Sequence, residues 1–134
     1  MKKFLFAMLT VLMFALCTGC GEDLTYKHLT PNQAKEMMES DPNVIVLDVR
    51  TIQEYEKKHI VNAVLLPIED LRNNDFSKLP DKNAKILVYC WTGRRAQDSA
   101  DILFKHGYRN VYEFGGIVDW TGETEGTGEG EDPK

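Results

Sequence analysis

The segment Tyr89-Cys90-Trp91-Thr92-Gly93-Arg94-Arg95 joins an apolar run, Ile86 to Tyr89, to a stretch of helical periodicity that begins around Ala96. A cysteine on such a corner can be a core thiol, a metal ligand, half of a disulfide or a nucleophile. A thiol reacts as its thiolate, which is favoured near helix N-termini and cationic groups. Both are present: the helix that begins near Arg94 aims its first unpaired N–H groups back along the chain, and Arg94 and Arg95 add positive charge. Gly93 opens backbone conformations closed to other residues, so that several amides can converge on one point. Together these residues describe an anion cradle around the Cys90 sulfur. The competing reading is a buried cysteine ending a core strand, with both arginines merely solvated.

The other chemistry-bearing residues give weaker patterns. His28, His59 and His106 have no metal-ligand spacing with one another or with Cys90. Cys90 has no second cysteine separated from it by two residues, as a thioredoxin-type C-x-x-C site requires. His59 reads as structural, and His106 as a complement to a helix end. No organic cofactor or metal is implied.

The N-terminus bears on what Cys90 can pair with. Lys2 and Lys3 precede an uncharged apolar run from Phe4 to Leu16, shorter than the roughly 20 residues a bilayer-spanning helix needs, and this reads as a signal-peptide core. Cys17-Thr18-Gly19-Cys20 then resembles the lipobox of bacterial lipoproteins, with Cys17 in place of the usual leucine. On that reading residues 1–19 are removed, Cys20 is lipidated, residues 20–23 are a spacer, and the protein is anchored to a membrane of the bacterial cell envelope, facing the periplasm or exterior. Ordinary signal cleavage and an uncleaved anchor are the alternatives. Acyl chains at about 0.8 kcal/mol per buried methylene hold stably only when more than one is present. Cys90 is then the one free thiol in a compartment that tolerates disulfides.

Loss of residues 1–19 takes two of the 16 basic residues and none of the 21 acidic ones, leaving a formal charge of −7. Without a basic stripe, nucleic-acid binding has no electrostatic support. Thr121 to Lys134 is built of Gly, Thr, acids, Pro and Lys with no apolar residue, and is expected to be a disordered acidic tail. Residues 24–120 remain for one small domain with a single core.

That domain alternates strand and helix signals. Thr30-Pro31-Asn32-Gln33 is a capping-box helix start, running to about Ser40 with Ala34, Met37 and Met38 inward. Val44 to Leu47, Ala63 to Leu66 and Ile86 to Tyr89 are apolar runs suited to buried parallel strands. Thr51 to Glu54 repeats the capping-box spacing, Ile68 to Asn73 suggests a brief helix, and Ala96, Ala100, Leu103 and Phe104 lie at helical spacing before Gly107. Val111-Tyr112 adds a short strand before Gly115-Gly116 and a last helical turn ending at Trp120. The pattern implies an α/β domain, a mostly parallel sheet with helices on both faces. Asp48 and Cys90 stand just past strand carboxyl ends, where such sheets bind ligands.

Three segments in order resemble the rhodanese family: Leu47-Asp48-Val49-Arg50 with Glu54-Tyr55, His59-Ile60 and Asn62-Ala63; the loop Cys90 to Arg95, similar to C-x-x-G-x-R; and Gly107-Tyr108, Asn110 to Tyr112, Gly115-Gly116 and Trp120. The resemblance implies a five-stranded α/β fold and a single-domain sulfurtransferase. It makes Cys90 the sulfur-accepting nucleophile, with the amides of Trp91, Thr92, Gly93, Arg94 and Arg95 as its cradle. Arg95 matches the loop arginine that holds the anionic end of a donor such as thiosulfate, so its loss is expected to hurt thiosulfate use more than loss of Arg94. Asp48 and Arg50 match residues that support the loop, and Glu54 is expected to pair with Arg50 besides capping its helix. Lys58 and Asn62 stand where the family often has glycine, and Trp91 is bulky enough beside the thiol to narrow the entrance or to favour an apolar acceptor.

The implied reaction passes sulfur from a small anionic donor to Cys90 and on to cyanide or a thiol. Phosphatases of the cell-cycle type share the fold but carry C-x5-R, which needs arginine at position 96, where this chain has Ala96. A low-turnover persulfide carrier or sensor, and a non-catalytic binding module of the envelope, are the remaining alternatives.

Overall fold

The computed structural model describes residues 25–128, so the expected signal segment and spacer, with Cys17 and Cys20, and residues 129–134 lie outside the described part. The described chain forms β1 (Lys27–His28), α1 (Pro31–Ser40), β2 (Ile45–Asp48), α2 (Ile52–Lys57), β3 (His59–Ile60), β4 (Val64–Leu65), α3 (Ile68–Arg72), β5 (Lys85–Cys90), α4 (Arg94–Lys105), β6 (Asn110–Gly116), a 3-10 turn (Ile117–Asp119) and β7 (Thr124–Glu125). Five strands make one sheet in the order β1-β6-β5-β2-β4, with every pairing parallel. The expected α/β architecture is therefore present.

Strand side chains alternate between faces, and that alternation sorts the core into two layers. Leu47, Val49, Ile86, Val88 and Cys90 pack with Ala96, Ala100 and Leu103 of α4. Val46, Leu87, Tyr89 and Phe114 pack on the other face with Ala34, Met37 and Met38 of α1. Both capping boxes are formed: Thr30 with Gln33 opens α1, and Thr51 with Glu54 opens α2.

The acidic tail departs from its expectation. Glu125 and Thr124 of β7 pair antiparallel with His59 and Ile60 of β3. Beyond them the amides of Thr127 and Gly128 donate to the carbonyls of Glu56 and Lys57, each at 2.9 Å. Those carbonyls belong to the last turn of α2, which has no intrahelical donors left for them. Gly126 is tied to this path: at φ +141°, a Cβ there would sit 2.4 Å from the Lys57 oxygen. Pairing through the main chain needs no apolar side chains, so composition gave no sign of it. The folded domain thus extends at least to Gly128.

Candidate active site

Cys90 is the last residue of β5, and the loop after it folds back onto its sulfur. Gly93 adopts φ +118°, and its amide donates to Cys90 Sγ at 3.0 Å. Of the five amides expected to form the cradle, Gly93's is the one hydrogen-bonded to sulfur in this structure. α4 begins at the next residue, and Gln97 N bonds the Gly93 carbonyl at 3.0 Å, so the helix starts directly against the loop. Cys90 is 1 % exposed, with its side chain in the layer shared with α4.

The loop rests on Gly115-Gly116. A Cβ on Gly116 would lie 1.9 Å from the Trp91 carbonyl oxygen, and one on Gly93 would lie 3.2 Å from Gly115 Cα. Two backbones pass here at a separation that only glycine permits. Val118 N donates to the Trp91 carbonyl at 3.3 Å, which turns that oxygen toward β6. Gly115, at φ +86°, donates its amide to Glu113 Oε2 at 3.1 Å, and the same buried carboxylate meets His28 Nδ1 on β1. The Trp91 side chain packs into the α1-side layer, whereas Cys90 belongs to the α4-side layer.

Asp48 and Tyr89 are register partners on β2 and β5. Tyr89 OH donates to Asp48 Oδ2 at 2.6 Å and accepts from the Ile60 amide at 3.1 Å. Burial, then the Asp48 charge, push the Tyr89 phenol upward and keep it a neutral donor. Arg50 grips the same carboxylate through Nε at 2.9 Å and Nη2 at 2.6 Å, and Nη2 also reaches the Lys58 carbonyl at 2.7 Å. Burial disfavours the Arg50 charge, but the bonds to Asp48 outweigh it and raise the guanidinium. Asp48 and Arg50 thus brace the end of β2 beside the strand that carries Cys90.

The expected Glu54–Arg50 pair is replaced by another. Arg95 donates Nη1 to Glu54 Oε2 at 2.8 Å and Nη2 to Oε1 at 2.7 Å, a bidentate pair. Glu54 is pre-aimed because the amide and hydroxyl of Thr51 both donate to Oε2 at 2.9 Å. Burial alone would raise this carboxyl, yet the bonds from Arg95 and Thr51 pull it down to about 2. Arg50 turns instead to Asp48, two residues away in sequence, whose carboxylate needs no long reach. Arg94 is exposed, and Thr92 likewise.

A groove of about 590 Å³ lies elsewhere, between α1 and the Trp120–Glu123 segment, lined by Lys35, Met38, Ile60 and Trp120 among others, and Cys90 takes no part in it. Tyr89 and the Gly115-Gly116 floor are the contributors whose roles the sequence did not reveal. Tyr89 looks like any core strand residue until its hydroxyl is seen against Asp48, 41 residues away.

A parallel sheet whose central strand ends in a cysteine wrapped by its own loop, next to an Asp–Arg brace, defines a class of cysteine-centred α/β domains. Residues 30–123 match the rhodanese-like domain, and the chain belongs to that family. It is 37 % identical over 94 residues to the putative sulfur carrier protein YrkF of Bacillus subtilis, covering 68 % of this chain and 49 % of that protein. It is 33 % identical over 98 residues to the thiosulfate sulfurtransferase GlpE of Coxiella burnetii, covering 72 % of this chain and 89 % of that one. It is also 33 % identical over 73 residues to the thiosulfate sulfurtransferase PspE of Escherichia coli, covering 54 % and 70 %. Among solved structures, a rhodanese-like domain of the Anabaena Alr3790 protein superposes with a TM-score of 0.68 at 30 % identity, covering 80 % of this chain and 84 % of that one. This chain spans about half the length of YrkF.

Proposed function

We propose that this protein is a sulfurtransferase that carries a sulfane sulfur on Cys90. The observation that carries the reading is the loop folded back on the sulfur, with the Gly93 amide 3.0 Å from Sγ. In the first step the Cys90 thiolate attacks the outer sulfur of thiosulfate. A Cys90 S–S bond forms, the sulfur–sulfur bond of the donor breaks, and sulfite leaves with the bonding electron pair. In the second, cyanide attacks the outer sulfur of the persulfide, releasing thiocyanate and returning the thiolate. An oriented amide stabilises the anion at sulfur in both states without reorganising. The two relatives named thiosulfate sulfurtransferase support this chemistry.

A second reading is favoured by the relative named as a putative sulfur carrier and by the burial of Cys90: the persulfide forms but is passed on slowly, to a specific thiol. Mass spectrometry after exposure to thiosulfate tests the shared step, with a gain of one sulfur on Cys90 expected and none in Cys90→Ser. No adduct from thiosulfate or from a persulfide donor refutes both readings and favours a binding module. Turnover with cyanide separates enzyme from carrier. We further propose, from the Cys17–Cys20 segment, that the mature protein is a lipoprotein anchored to the cell envelope through Cys20. A mature mass without acyl chains on Cys20 refutes this.

A further inference from the structure

Arg50, Arg94 and Arg95 all follow strand ends at the Cys90 corner, and they differ in what they are free to do. The Arg50 side chain is 1 % exposed and held on Asp48. Arg95 is committed to Glu54 through both Nη atoms. Arg94 is exposed, and among the described residues no acid pairs with it. For Arg95 to turn to a donor it would have to leave the Glu54 side chain, 11 % exposed, without its partner. Breaking this bidentate pair leaves the mostly buried Glu54 carboxylate without its cation, which is unfavourable even with Arg95 33 % exposed. Glu54 cannot follow Arg95, because Thr51 holds it at the start of α2. Its carboxylate also places negative charge beside Arg95, where a dianionic donor would be repelled.

We infer that Glu54 is a positioning residue that commits Arg95 to the frame of the loop, and that Arg94 reads the anionic end of the sulfur donor. The inference rests on sulfur transfer through Cys90. It reverses the order of importance that the loop pattern implied for the two arginines. Arg94 follows Gly93, whose amide donates to Cys90 Sγ, and stands exposed at the first position of α4. A flexible cation can meet the sulfonate end of thiosulfate there and release sulfite afterwards. Arg95 supplies the link between α4 and α2.

Steady-state transfer to cyanide by the full chain tests the assignment, with thiosulfate and cysteamine persulfide as donors, the second bearing an ammonium where thiosulfate bears a sulfonate. Arg94→Ala is expected to raise the thiosulfate KM about tenfold with kcat within about twofold, because it removes uniform binding of the donor. The KM for cysteamine persulfide should stay unchanged, and Arg94→Lys should restore most of the thiosulfate KM. Adding Glu54→Gln to Arg94→Ala should lower the thiosulfate KM again, since Arg95 is then released to take the anion; a merely structural Glu54 would not produce that recovery. An unchanged thiosulfate KM in Arg94→Ala overturns the assignment, as does Glu54→Gln failing to recover it. Absence of a Cys90 persulfide from either donor in the unsubstituted protein is a different failure, which removes the transfer reading and this inference with it.

Discussion

Glu54 and Arg95 face each other across two parallel hydrogen bonds, 2.7 and 2.8 Å long, and so tie the first turn of α2 to the first turn of α4. The same Glu54 carboxylate closes the capping box of its own helix. One side chain therefore joins a local device to a contact 41 residues away. The pair should show itself in acid. Its carboxyl titrates at about 2 in the folded protein against 4.5 for the free group. A depressed carboxyl contributes stability that is present above the unfolded value and is lost as pH falls through the folded one. Urea unfolding of the unsubstituted protein and Glu54→Gln should therefore differ by on the order of 2 kcal/mol at neutral pH, discounted for solvent at Arg95, and converge between about pH 4.5 and pH 2. A difference that persists at pH 2 would mean the carboxylate is not its source.

Gly116 makes a prediction about catalysis. Gly116→Ala drives a Cβ into the Trp91 carbonyl, 1.9 Å away, and the loop must move off β6. A displacement of about 1 Å at a reacting group can lower the rate on the order of 100-fold, and a loss of that size in kcat is expected. Gly115→Ala meets no atom within 4 Å but sits at φ +86°, so about 1 kcal/mol of stability should be lost, with a smaller effect on kcat. Equal kcat losses would point to backbone strain rather than the close approach.

Tyr89→Phe leaves the ring in place and removes only the hydroxyl between Asp48 and the Ile60 amide. An unpaired buried N–H costs about 1–3 kcal/mol, and the urea midpoint should fall accordingly with the m-value unchanged. Tyr89 does not touch the sulfur layer, so Cys90 should still take up sulfur from thiosulfate, as read by intact mass.

The C-terminal strap separates backbone from side-chain pairing. Glu125→Ala removes a contact to His59 Nε2 at 3.3 Å whose acid is half exposed, and such pairs contribute about 0–1 kcal/mol. Truncation after Glu123 deletes β7 and the amides that serve the Glu56 and Lys57 carbonyls. Hydrogen exchange should then quicken at Val61, whose amide donates to the Glu123 carbonyl, and along α2 in the truncated chain, and remain unchanged in Glu125→Ala. Similar exchange in both would mean that the side chain holds the strap.

Features that depend on neighbours along the chain were legible in the residues alone. Thr30 with Gln33 and Thr51 with Glu54 satisfy helix-start amides within one turn, and both boxes stand where the spacing put them. The apolar runs became parallel strands, and Cys90 ends one of them as the corner implied. β1, β3 and β7 were not legible, because two-residue strands of charged or mixed composition have no period to detect.

The chemistry divides in the same way. Residue type and spacing were enough to single out Cys90, Gly93 and the arginines after it, since a loop that closes on its own sulfur is a short-range object. Which acid each arginine meets was not encoded there. Asp48 takes Arg50, and Glu54 crosses to Arg95, because the parallel sheet sets β2 beside β5 and brings the first turns of the helices that follow them within side-chain reach. The glycines at 115 and 116 are an ordinary pair until the sheet lays the Trp91 carbonyl against them. Local hydrogen bonds and periodicity travel with the chain; contacts between residues far apart in sequence exist only once packing has chosen which surfaces meet.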